Sequence, residues 1–345
     1  MSRPTRYEYC NPEQKKQYID MCESERGMIH GPLERLFTST CSYEMRFRKD
    51  VSMFSVFEIR SMYKGFGYHS REALLNANSQ LSHYTSWCME HDSDAKGANP
   101  YISMQNNLDY LIDEAALDRR IISRKDLLNS MTVVENDCDR FMLLAMFEGI
   151  QGRDKQELLN LRLGDFHREE GTWYVDLFSE IMNKDTRENE IIRRTIAVSD
   201  KLKELANIAS LQEAYKTPGS DRTTVFSNKQ FSDSVIKLVL IYTSVAAKNP
   251  SNRGNVIHTR FSNLMSVLKV SLDDDRAFKL CELQPTSLLH SGMLHMIGEI
   301  ADREQISMKE VLYDPKLVDE VDRQFNSNLK TTKAVFCRKY ANYMK

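Results

Sequence analysis

The chain has 345 residues, with 47 Lys and Arg against 49 Asp and Glu, a formal net charge of −2. That length exceeds a single hydrophobic core and favours two domains. The near-neutral total excludes a polybasic tail or an acidic disordered protein and still permits a local basic face for phosphate.

From Pro12 to about Leu117 the pattern is helical almost throughout. Tyr18, Ile19 and Cys22 recur at helical spacing, and "VSMFSVFEIRSMY" places Met53, Phe54, Phe57 and Ile59 on an apolar stripe. "GYHSREALLNANSQLSHYTSWCMEH" offers Ser70 as an N-cap, Glu72 in the first turn, and Leu74, Leu75, Leu81, Tyr84 and Trp87 inward. Asn99-Pro100 ends or turns this helical bundle, because the residue before proline is biased away from helix. The polar "DEAALDRRIISRKD" is the interdomain connector, so residues 1–117 and 118–345 form separate domains.

In the second domain, Asn136 or Asp137 caps "RFMLLAMFEGI", whose apolar run from Phe141 to Phe147 predicts a helix buried on most sides. Gly149 and Gly152 break it, and a helix from Asp154 to Leu163 follows. "GTWYVDLF" and "NEIIRRTIAVS" give the clear β signal, with "NKDTREN" as the exposed turn of a hairpin. Ser199-Asp200 caps a helix running to about Ala214, "TPGSDRTT" is a loop, and helices alternate with breaks to the C-terminus. The fold class is therefore mainly α with a small β component.

The seven cysteines contain no C-x-x-C pair and no zinc spacing, and are expected as buried reduced thiols. His290 and His295 lie on different helix faces, and Asp273 to Asp275 lack the alternating oxygens of a calcium loop. No metal and no cofactor are expected. The longest apolar run, Leu238 to Ala247, is too short to span a bilayer, and "MSRPTRYEYC" lacks the apolar region of a secretory signal. These features predict a cytoplasmic protein without a membrane partner.

The succession of helical bundle, linker, helix pair, hairpin and helices resembles the tyrosine recombinase (phage integrase) family, in which a core-binding domain and a mixed catalytic domain clamp duplex DNA. In "GIQGRDKQELLNLRLGDF", Gly152, Glu157, Leu158, Leu159, Leu161, Leu163 and Asp165 resemble the family block G-x-R-x-x-E-L-L-x-L-x-x-x-D. Lys184 lies where the family's lysine enters the hairpin, and "RRTIAVS" is similar to its return strand. The family's chemistry uses a tyrosine nucleophile and two arginines, whose planar forks neutralise phosphate oxygens as charge develops.

Counted against that pattern, the first arginine position falls on Asp154, with Arg153 one place early. A one-residue shift on a helix turns a side chain by roughly 100°. In the second box, H-x-L-R-H becomes "TSLLH": Thr286 and Leu289 replace a histidine and the second arginine, and His290 survives. "LYD", Leu312 to Asp314, loses the third box's histidine. Tyr340 stands further along than the family spacing, with Tyr343 competing. Arg153, Lys184, His290 and Tyr340 are thus remnants, and a tyrosine without its arginine pair is not an activated nucleophile.

The resemblance implies a catalytically degenerate member, similar to the integrase-like lysogeny master repressors of SPbeta-type temperate phages. Such a protein would bind double-stranded DNA at an operator in a bacterial host's nucleoid. Candidate backbone contacts are Arg153, Lys155, Lys184, Arg187, His290 and Arg194. Arg193 and Arg194 alternate on a strand, so one faces outward, and motif register selects Arg194.

In the first domain Arg46, Arg48, Lys49, Lys64, His69, Ser70 and Arg71 are candidate positioning contacts, while Asn76 or Asn78 reads base edges. The alternative for all of these is a solvated polar face, and for His290 a satisfied core histidine. An active recombinase and a helical protein-interaction module are the competing functions. A regulatory protein or peptide partner stays open, as does whether "AVFCRKYANYMK" swaps to a neighbour or docks on its own chain.

Overall fold

The computed structural model describes residues 11–26, 30–68, 71–91, 97–104, 108–112, 118–182, 189–226, 233–237, 253–270 and 274–344. The chain is mainly helical with small sheets and divides into two compact units, Met1–Asp118 and Arg119–Lys345. Each has a hydrophobic core of its own.

The first unit holds α1 (Pro12–Arg26), α2 (His30–Phe47), α3 (Val56–Phe66), α4 (Arg71–His91) and the short α5 (Pro100–Met104). Tyr18, Ile19, Cys22, Leu74, Leu81 and Tyr84 are buried as their spacing requires. Tyr84 receives Phe37 and Tyr18 edge-on, with ring centroids at 4.8 and 5.2 Å, an arrangement favoured by the ring quadrupoles. A buried ionic cluster ties α1 to α2 and the turn beyond it. Lys15 Nζ lies 2.5 Å from Glu44 and 3.3 Å from Asp50, and all three residues are buried.

The predicted apolar stripe over residues 51–63 is broken. Val51–Met53 forms a 3-10 turn capped by Asp50, and α3 begins afresh after Ser55. Ser55 and Glu58 exchange hydrogen bonds in a capping box, which satisfies two helix-end donors and outweighs continuing the helix. Phe54 and Ile59 turn inward, while Met53 and Phe57 are left 62% and 78% exposed.

In the second unit, α6 (Arg124–Ser130) is followed by α7 (Asp137–Phe147), whose Phe141–Phe147 run is wholly in the core. Asn136 stands at its N-cap position, but its side-chain amide donates to the Lys216 carbonyl at 2.9 Å rather than capping the helix. The first sheet is an antiparallel meander of β1 (Phe166–Glu169), β2 (Thr172–Met182) and β3 (Asn189–Val198). β2 and β3 form the expected hairpin.

β1 was not expected, because "FHRE" has one apolar residue. It is specified instead by Glu170-Gly171, both at positive φ, a two-residue loop suited to a tight hairpin.

Ser199 caps α9 (Asp200–Leu211), accepting from Leu202 N. This helix stops short of Ala214 because β4 (Ala214–Lys216) pairs with β5 (Thr223–Val225), making the loop "TPGSDR" a hairpin tip. The remaining helices are α10 (Arg253–Leu268), α11 (Asp275–Cys281), α12 (Pro285–Glu304), α13 (Met308–Tyr313), α14 (Pro315–Phe325) and α15 (Leu329–Lys339). α12 passes α7 at Gly292, where an added Cβ would lie 1.7 Å from the Phe147 carbonyl oxygen. Phe336 and Tyr340 are buried within this same unit. Among the described residues no helix is long and apolar enough to cross a membrane.

Candidate nucleic-acid site

The segment after α7 departs from the predicted helix. Gly149 and Gly152 take positive φ, and Arg153–Lys155 is a 3-10 turn in which Asp154 and Lys155 are both left-handed, with φ of 53° and 61°. The following helix, α8, spans only Gln156–Asn160. The rotation argument for Arg153 therefore does not apply, because Arg153 stands in a 3-10 turn before the α-helix that starts at Gln156; the Arg153 side chain lies outside the described residues.

Left-handed backbone at two successive non-glycine residues costs roughly 1–2 kcal/mol each. Here it leaves Asp154 exposed and Lys155 half-buried. The Lys155 ammonium donates to Gln151 Oε1, and the Gln151 amide nitrogen donates to the Pro285 carbonyl at 3.0 Å. The first box is thereby tied to the start of α12. Burial holds the Lys155 pKa below its ordinary value.

Glu157 and Arg194 form the centre of the scaffold. Arg194 Nε and Nη2 donate to the two Glu157 carboxylate oxygens at 2.7 and 2.6 Å, a bidentate pair. The same guanidinium donates to the carbonyls of Gly149 (2.7 Å), Gln324 (2.7 Å) and Arg323 (3.2 Å). The expectation that Arg194 faces a phosphate is thus corrected. The buried Glu157 carboxylate draws Arg194 inward, and it is Arg193 that is exposed, lying over the Phe178 ring.

α12 carries the second box. Thr286 is exposed, Leu289 and His290 are half-buried, and the Tyr340 hydroxyl lies 2.6 Å from His290 Nδ1. Burial, reinforced by the Lys339 charge, lowers the His290 pKa to about 4. Burial also raises the Tyr340 phenol above its ordinary value. At neutral pH an uncharged imidazole is therefore hydrogen-bonded to a protonated phenol, the imidazole tautomer setting which of the two donates. The candidate histidine and tyrosine are brought together, but Tyr340 is only 1% exposed. Asp314, in the third box, caps α14 through the Lys316 and Leu317 amides.

In the first unit the candidates separate by exposure. Arg46, Arg48, Lys64 and Asn76 are exposed and Arg71 is half-buried. Lys49 is half-buried in a 2.8 Å ion pair with Glu58. Asn78 is fully buried, accepting from Tyr63 Oη at 3.1 Å and donating to the Tyr101 carbonyl at 3.0 Å. This corrects its assignment as a base reader: Asn76 and Asn78 are two apart on a helix and face different ways. His69, Ser70, Lys184 and Arg187 lie outside the described residues.

Sequence reasoning missed Gln151 as the link between boxes and Gln324 as a ligand of the scaffold. Nothing in the sequence pattern marks either. Among the described residues no group of acidic, histidine or cysteine side chains is arranged to hold a metal ion.

Comparison with known proteins gives two matches to family descriptions. "MrpR, C-terminal catalytic domain" covers residues 121–344, and "MrpR, N-terminal core-binding domain" covers residues 9–90. Among solved structures, the chain is similar to the Tn1549 transposon integrase (residues 82–397) in complex with circular intermediate DNA. That likeness has 12% identity, covers 96% of this chain and 95% of the other, and has a TM-score of 0.43. A second similarity is to the integrase from mycobacterium phage Brujita, at 13% identity, 99% coverage of each chain and a TM-score of 0.24. No curated protein matches the chain. With a core-binding match in the first unit and a catalytic-domain match over nearly all of the second, the chain belongs to the MrpR family.

Proposed function

We propose that the chain binds duplex DNA sequence-specifically without cutting it, and acts as a transcriptional repressor controlling phage lysogeny. The carrying observation is the state of Tyr340, whose buried hydroxyl lies 2.6 Å from Nδ1 of an uncharged His290. On the sequence reading, Leu289 and an exposed Asp154 stand at the two arginine positions. Leucine cannot bind a phosphate and aspartate repels one, so charge building on a transferred phosphoryl group would lack its two guanidinium partners.

What remains suits holding DNA. Exposed cations such as Arg46, Arg48, Lys64 and Arg193 supply backbone contacts, which position a protein on a duplex without reading sequence. Repression follows from occupying an operator and excluding polymerase.

The test combines footprinting in the host with mobility-shift assays on the footprinted fragments at physiological salt. Specific retardation with no covalent product on a nicked suicide duplex is expected. One observation favours a second reading, a drifted recombinase: the 2.6 Å contact would let His290 take the Tyr340 proton. A 3′-phosphotyrosyl adduct abolished by Tyr340→Phe would establish that reading. Failure of every fragment to shift would favour a protein-interaction module.

A further inference from the structure

The first unit leaves apolar surface where its charge is most positive. Between Met45 and Phe66 the sequence has Arg46, Arg48, Lys49, Arg60 and Lys64 against Asp50 and Glu58. Asp50 is buried with Lys15, and Glu58 is paired to Lys49. The exposed surface of this stretch is therefore cationic, in a chain whose total charge is −2.

α3 presents Phe57, Arg60 and Lys64 exposed, with half-buried Ser61 between them. Their i, i+3, i+4 and i+7 spacing aligns them along one helix face without an acid. Phe57 leads this face at 78% exposure and Met53 adds 62% just before the helix. Arg60 is held over the Tyr110 ring, with its guanidinium carbon 5.4 Å from the centroid. The α3 N-terminus is fixed by the Ser55–Glu58 capping box and the helix ends at Gly67 in a left-handed turn. Phe57 thus projects from a rigid element.

A cationic face selects a polyanion. An aromatic side chain projecting from such a face fits a base step, because inserted apolar side chains unstack neighbouring pairs while adjacent cations hold the phosphates. A neutral or basic protein surface would be repelled or left unpaired by the same residues. We propose that Phe57 is a wedge that enters a base step of bound duplex DNA, with Arg60 and Lys64 gripping the flanking phosphates, so that this protein bends its site. Flexible pyrimidine–purine steps, which unstack most readily, are the expected points of entry.

This inference rests on the DNA-binding reading above, and the experiment separates the two. The full chain is mixed with a footprinted duplex carrying 2-aminopurine at its TA or CA steps and a donor and acceptor dye at its ends. The expected result is increased 2-aminopurine fluorescence at one step together with end-to-end shortening. Phe57→Ala should abolish both and weaken binding roughly tenfold or more, while Phe57→Trp retains them. Phe57 is exposed, so both variants should keep the wild-type circular dichroism and melting temperature.

Binding and bending by Phe57→Ala indistinguishable from wild type would overturn the wedge and leave DNA binding standing. In that case, a change in sedimentation coefficient caused by Phe57→Ala would reassign the face to contact between copies. Absence of any duplex binding by the wild-type chain would remove both readings.

Discussion

Replacing Arg194 by alanine distinguishes a scaffold arginine from a phosphate-binding one. The substitution removes five hydrogen bonds, two to Glu157 and three to the Gly149, Arg323 and Gln324 carbonyls. Glu157, a buried residue, then keeps the Gln151 amide at 3.1 Å as a donor but loses its counter-charge. Breaking a buried pair from one side costs about 3–5 kcal/mol, mostly from the uncompensated charge left behind. At roughly 2–4 °C per kcal/mol for a domain of this size, the melting temperature of the second unit should fall by about 10 °C.

Arg194→Lys should recover little, since one ammonium cannot span the carboxylate and three carbonyls. Glu157→Gln added to Arg194→Ala should restore part of the loss by removing the stranded charge. Differential scanning calorimetry of the single and double variants measures this directly. A melting shift below ~2 °C for Arg194→Ala, which corresponds to under about 1 kcal/mol, would refute the scaffold role. If DNA affinity fell with no such shift, the motif-register assignment of Arg194 to phosphate would be restored.

Two further outcomes follow from buried ionisable groups. Lys15→Ala leaves Glu44 and Asp50 facing each other without their cation and should destabilise the first unit by about 3–5 kcal/mol. Hydrogen exchange over α1 should accelerate, and exchange there at the wild-type rate would sink the role assigned to Lys15. His290, with its pKa lowered to about 4 from the ordinary ~6.5, takes up a proton more readily unfolded than folded. Its stabilising contribution is complete above about pH 6.5 and is lost as pH falls towards 4, a change of order 2–3 kcal/mol. Urea midpoints from pH 7.5 to 4.5 should therefore drop less in His290→Gln than in wild type, and parallel curves would contradict the neutral His290–Tyr340 pair.

The order of elements was legible because each carries a local signature: Phe141–Phe147 is apolar all round, β2 and β3 alternate, and Ser199 caps its helix. The failures have local causes too. The capping box at Ser55 cut a continuous apolar pattern, because Met53 and Phe57 satisfy helical spacing without being needed in the core. Strand β1 and the β4–β5 hairpin are set by turns and pairing across the sheet, which short segments such as "FHRE" and "AYK" do not advertise.

Counting along the boxes sets Asp154 and Leu289 against the family's two arginine positions as a reading of the sequence, while the partners of the site residues come from the structure alone. Strand alternation likewise requires Arg193 and Arg194 to point oppositely, but which one turns inward depends on a distant carboxylate. Glu157 is 37 residues away, and Gln324, whose carbonyl completes the cage, is 130 away. The same logic applies to Asn78, whose partners Tyr63 and Tyr101 lie on α3 and α5. A polar residue within a candidate binding helix has two ways to satisfy its hydrogen bonds, through DNA or through the core. Periodicity separates them only when the apolar stripe fixes the helix phase to within one residue. In α4, Leu74, Ala77 and Leu81 set that phase, and Asn78 falls on the same buried side, four residues after Leu74.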